Sequence, residues 1–184
     1  MTGPGQQTQA PVVLHDGDEG ARRYAGWLAE EFGGTAAHHD EADPAQMVVA
    51  DTVVLFTAIA PGGGLVGSTF LKDNWQALVE AGRRVAVCMV GSAPLNDDSR
   101  VELMNAEFTM DQMRELKFFQ LRGVVDPGEL GFRQKLALRT TLAALRRKPE
   151  LSDDEQRFLD SGGGLDLTDR AALGPLLRWI RREA

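Results

Sequence analysis

With 184 residues, 43% of them apolar and 26% charged, the chain is long enough for one domain with a substantial buried core. A formal charge of -7 at pH 7 excludes general affinity for nucleic acid, and the longest apolar runs, Met47 to Ala50 and Val85 to Val90, are too short to cross a bilayer. Met1 to Ala10 has neither the basic start nor the apolar middle of a secretion signal, so the predicted location is cytoplasmic. The single cysteine, Cys88, excludes an internal disulfide framework and reads as a buried strand thiol.

Met1 to Ala10, composed largely of Gly, Pro, Gln and Thr, reads as a disordered leader, with the domain spanning 11–184. The first predicted strand is Val12 to His15. A polar turn follows, and then a helix over about Ala21 to Phe32, with Tyr24, Trp27, Leu28 and Phe32 on one face at helical spacing. Gly33-Gly34 stops that helix, and Thr35 to His39 reads as a short edge strand. Next come the apolar strand Thr52 to Phe56, a Gly-rich loop, a helix from about Phe70 to Glu80 and the strand Arg84 to Gly91. Strands that alternate with helices and are apolar on both faces predict a doubly wound parallel sheet. A Met-rich helix (Val101 to Glu115) leads to a fifth strand, Lys117 to Gly123, and to a long basic helix from Gly131 to Lys148 that Pro149 ends. Ser152 to Glu155 has the spacing of a capping box, and a final helix runs from Asp169 to Arg182.

Several strings carry a resemblance: Leu116 to Gly123, Leu130 to Lys135, Leu151 to Glu155 with Phe158-Leu159, and Leu176 to Ile180. With the order of segments, they make the chain similar to the flavodoxin-like proteins, in the branch of stand-alone flavodoxin-domain proteins related to the quinone-linked protoporphyrinogen dehydrogenase. The resemblance implies a flavodoxin-like α/β fold, a doubly wound sheet of five parallel strands with helices on both faces. It also implies an FMN site built from three loops. Aligned without gaps, the phosphate loop is Asp16, Gly17, Asp18, Glu19, Gly20 and Ala21, the second loop includes Ala58, Ile59, Ala60 and Gly62, and the third includes Gly91 and Ser92.

In such relatives the phosphate loop offers hydroxyls and bare amides; here three carboxylates stand in it and no hydroxyl remains. A carboxylate about 6 Å from a phosphate dianion costs several kcal/mol at an effective dielectric of ~20. A helix terminus returns only about 0.3–2 kcal/mol, so repulsion wins unless the acids turn outward or a cation intervenes. The second loop, Thr57 to Gly64, has no aromatic residue to stack on a flavin, although Ile59 and Gly62 match the family pattern. With consecutive glycines and no anchoring side chain, Ala58 to Gly64 is expected to be mobile. The third loop, Val90 to Pro94, is small enough for a flat ring to approach. The expected function is therefore a weakly flavin-binding or flavin-free interaction module whose contact surface is the crevice at the strand C-termini. An FMN-dependent electron carrier or oxidoreductase acting with a redox partner is the other reading.

Other motifs carry less. Neighbouring strand residues point to opposite faces, so His38 and His39 are not expected to chelate a metal together with Asp40. The acidic turn is too short for a calcium motif and reads as solvated. In the basic helix, Phe132, Leu136, Leu142 and Leu145 are assigned to the core side, with Arg133, Lys135, Arg139, Arg146, Arg147 and Lys148 outward. By resemblance, that helix implies a peripheral membrane or acidic-partner contact.

Overall fold

A computed structural model describes residues 9–60, 63–91, 97–128 and 130–183, without the side chains at 133, 134 and 154. Most of the predicted leader, and positions Gly62 and Ser92, lie outside the described residues. Five parallel strands form the main sheet: β1 (Val12–His15), β2 (Ala36–His38), β3 (Thr52–Ala58), β4 (Arg84–Gly91) and β5 (Leu116–Arg122). Their spatial order, β2-β1-β3-β4-β5, is that of a flavodoxin-like doubly wound fold.

Helices cover both faces because the central strands are apolar at nearly every position. Side chains alternate across a strand, so Val54, Phe56, Ala86, Cys88 and Val90 enter one core while Val53, Leu55, Val85, Val87 and Met89 enter the other. The first core is closed by α1 (Glu19–Glu31) and α8 (Gly174–Arg181), through Tyr24, Leu28, Leu176 and Ile180. The second is closed by α2 (Pro44–Val49), α3 (Ser68–Glu80) and α4 (Asp97–Glu107), through Met47, Leu71, Leu78 and Leu103. Cys88 is fully buried, and desolvation holds its thiol protonated, far above the ordinary range.

Where the element boundaries differ from expectation, the cause is local. α1 begins two residues early because Asp18 caps it, its carboxylate accepting from the Ala21 amide at 3.0 Å. The Met-rich segment is two helices. Phe108 turns into the core, and a Thr109/Gln112 capping box starts α5 (Met110–Glu115). The final helix is likewise split, because Pro175 in its first turn cannot continue the preceding 3-10 turn, Arg170–Leu173. The segment α2, with Pro44 in its first turn, and a two-residue ribbon of β6 (Val124–Val125) with β7 (Leu165–Asp166) are too short to leave a periodic signal.

The basic helix, α6 (Phe132–Leu145), ends before Pro149 and packs on α7 (Asp153–Asp160), which the Ser152/Glu155 capping box starts as expected. Its assigned core face is corrected. Leu142 is buried and Leu138 and Leu145 half-buried, spaced i, i+4 and i+7, whereas Phe132 and Leu136 are 84% and 55% exposed. The helix therefore carries two apolar faces rather than a single stripe.

Phe56 is the largest fully buried strand side chain in the first core, parallel to Tyr24 with ring centroids 6.3 Å apart. Phe56→Ala is expected to cost roughly 3–5 kcal/mol, read as a lowered urea midpoint at unchanged slope.

Candidate functional site

At the C-terminal edge of the sheet the turn after β1 meets the end of β3, and Ile59 after β3 lies on Gly91 at the end of β4; side chains of the turn occupy backbone donors there. Asp16 turns inward. One carboxylate oxygen accepts from the Asp18 amide at 3.1 Å, while the other accepts from the Thr57 hydroxyl at 3.1 Å and the Ala58 amide at 2.5 Å. Asp18 takes the Ala21 amide, and the Gly17 amide donates to His15 Nδ1 at 3.1 Å. Burial, reinforced by His38, lowers the His15 pKa, in keeping with a neutral ring that accepts. Glu19 leaves the turn altogether: its carboxylate pairs with Arg23 at 2.5 Å, and Arg23 also holds Asp166. Of the three acids, a cation intervenes for one, and the other two accept from the Asp18, Ala21 and Ala58 amides.

The glycines of the site serve packing. Gly17 adopts φ +91°, which a side chain rarely tolerates. A Cβ on Gly20 would meet Val90 Cγ1 at 3.1 Å and the Gly123 backbone at 3.2 Å, so the start of α1 presses directly on β4 and on the chain just after β5. A Cβ on Gly91 would stand 2.8 Å from Ile59 Cδ1. Ile59, whose amide donates to the Val90 carbonyl, thus covers the surface where a flat ring was expected to approach.

The described residues on either side of positions 61 and 62 in the second loop pair with one another. Ala60 accepts from the Gly63 amide and donates to the Gly64 carbonyl, each at 3.0 Å, Ile59 bridges Leu65, and the Val66 amide returns to Ala58. Contrary to expectation, a side chain anchors it: Glu107 on α4 accepts from the Leu65 amide at 2.9 Å, the Ser68 hydroxyl at 2.6 Å and Lys72 Nζ at 2.9 Å. The Glu107–Leu65 pair is 42 residues apart, so no sequence pattern could have disclosed it. Burial opposes ionisation of Glu107, but the hydrogen bonds from Ser68, Lys72 and Leu65 outweigh it and its pKa is lowered.

The second-face corner holds His38, His39 and Asp40, the only group of three or more His, Cys, Asp or Glu among the described residues whose ligand atoms cluster within 4.8 Å. The premise of opposite strand faces is corrected here: β2 ends at His38, and His39 belongs to a 3-10 turn, His39–Glu41, so the two rings stack with centroids 4.6 Å apart.

A cavity of about 400 Å³ opens at the other end of the sheet, by the N-terminal ends of β4 and β5, lined by Trp75, Arg83, Arg84, Arg114, Lys117 and Trp179. Two of its arginines are engaged structurally. Arg84 lies over Trp179 at 4.0 Å and donates to the last carbonyls of α8, and Arg83 donates to the Ala50 and Ala81 carbonyls. No family model, curated protein or solved structure matches this chain.

The Glu107 cluster makes stability depend on acid. A lowered folded pKa contributes stability that is complete above the ordinary value of 4.5 and lost as pH falls through the folded value. Glu107→Gln should therefore lower stability at neutral pH and flatten the loss below pH 4.5, measured as thermal midpoints against pH.

Proposed function

We propose that this protein is a flavin-free interaction module of the cytoplasm, built on a flavodoxin-like frame and derived from the branch of flavodoxin-domain proteins that it resembles. The observation that carries this reading is the engagement of the Asp18, Ala21 and Ala58 amides by Asp16 and Asp18. An incoming phosphate would have to displace carboxylates from good hydrogen bonds and then lie beside them. Each exchanged donor gains little, and the added charge repulsion remains. The covered Gly91 and the aromatic-free second loop support the same conclusion for the ring.

The protein as purified is expected to show no stoichiometric flavin absorbance. Asp16→Ser with Asp18→Ser removes both charges from the turn while leaving a hydroxyl at position 18 to cap α1. The pair should raise FMN affinity at least about tenfold by fluorescence quenching, a gain of about 1.4 kcal/mol. A stoichiometric flavin spectrum from the unmodified protein would overturn the reading in favour of an electron carrier.

With the Asp18 and Ala58 amides engaged by Asp16 and Gly91 covered by Ile59, α6 becomes the contact surface we propose, and an anionic membrane face its partner. No helix among the described residues is long and apolar enough to cross a membrane, so the contact is peripheral. Phe132, Leu136, Arg139 and Ala143 follow one another at i, i+4, i+7 and i+11 on the exposed side, with Lys135 alongside. Each large apolar side chain buried there is worth roughly 1.5–3 kcal/mol, and each cation near acidic lipid about 1 kcal/mol. Wild type should sediment with vesicles containing phosphatidylserine and not with neutral ones, and less at high salt. Phe132→Ser with Arg139→Glu should abolish it; equal sedimentation of wild type and variant would leave α6 as ordinary outer wall.

A further inference from the structure

All three histidines of the chain meet at one corner of the sheet. Parallel pairing of β1 with β2 sets His15 opposite His38, with ring centroids 5.6 Å apart, and the turn after β2 lays His39 on His38. Two glycines leave room for the stacked pair. A Cβ on Gly17 would stand 3.3 Å from His38 Nε2, and one on Gly67 3.6 Å from His39 Cδ2. Phe70 packs against the His39 ring at 5.3 Å, and only 14% of that side chain is exposed.

The His39 ring carries an unmet requirement. Its Nδ1 is buried and makes no hydrogen bond, although Asp40 Oδ1 lies 3.0 Å away. A buried nitrogen normally has a partner. The second Asp40 oxygen lies 3.6 Å from His38 Nδ1, so one carboxylate is flanked by two imidazole nitrogens. One ligand atom from each of His38, His39 and Asp40 lies within 4.8 Å of the other two; two atoms each about 2.0–2.1 Å from a tetrahedral metal lie about 3.3 Å apart, so the group draws together to share an ion.

We propose that His38, His39 and Asp40 form a binding site for one divalent transition-metal ion of the zinc class. Two imidazoles and one carboxylate make a borderline donor set, suited to zinc, cobalt or nickel and not to magnesium or calcium, which take oxygen ligands. His15 is not a ligand. Its Nδ1 accepts from the Gly17 amide, and the ring stands edge-on to His38. The only cysteine, Cys88, is sealed in the core, so no thiolate competes. His38 Nδ1 accepts weakly from the Asp40 amide at 3.2 Å, a bond that metal ligation through that nitrogen would replace.

The test is calorimetric titration of zinc chloride into the full metal-free chain, with magnesium chloride in parallel and cobalt(II) absorbance as a second readout. Wild type should take up a single equivalent of zinc, ignore magnesium and develop a visible cobalt band. His39→Gln and Asp40→Asn, both folded by circular dichroism, should each weaken zinc at least about tenfold and remove the band, whereas His15→Gln should bind as wild type does. Absence of stoichiometric zinc binding, or undiminished binding by His39→Gln and Asp40→Asn, overturns the proposal. A loss on His15→Gln equal to that on His39→Gln overturns the ligand assignment.

Discussion

The Asp16 carboxylate is the contact on which the crevice of this protein depends. It stands at the end of β1, accepts from the Thr57 hydroxyl and Ala58 amide at the end of β3, and takes the Asp18 amide of its own turn. An open parallel sheet leaves backbone donors at its C-terminal edge, and in most such folds a ligand satisfies them. Here a side chain does. Once Asp16 is in place the turn closes, Asp18 is free to cap α1, and the helix comes down on β4 and on Gly123 just after β5 through Gly20.

The opposite wall of the crevice is held in a related way. Ile59 lies on Gly91, its backbone tied to Val90, and the loop that carries it is pinned by Glu107 from α4. Glu107 also holds Ser68 and Lys72 at the start of α3, so one half-buried carboxylate ties a loop to two helices. Two acids therefore do at the rim what a bound cofactor does elsewhere. They satisfy donors and hold loops in one arrangement.

Away from the crevice, the molecule keeps polar and apolar groups in less settled combinations. α6 buries Leu142 and displays Phe132 and Leu136 beside cations, a division that one packed layer does not require. The histidine corner buries a ring nitrogen without a partner. These features are unneeded by the fold itself, which the two cores already explain, and they are where interaction with something outside the chain is best sought.

The five strands, their parallel arrangement and the two-sided core were legible in the sequence, because continuous apolar runs such as Thr52 to Phe56 and Arg84 to Gly91 admit burial on both faces and little else. The acidic turn and its place at the end of β1 were legible too, since local order follows from local residues. Which acid faced the amides was not: Glu19 swings to Arg23 and Asp16 reaches Ala58, and only the pairing of β1 with β3 brings that amide within reach. The anchor of Glu107 on Leu65 and the outward face of α6 share that reason, whereas the stacking of His38 on His39 follows from the local 3-10 turn, His39–Glu41. Sequence periodicity reports which face of an element is apolar, whereas partners distant along the chain are chosen by the packing of whole elements, and there the tertiary structure alone decides.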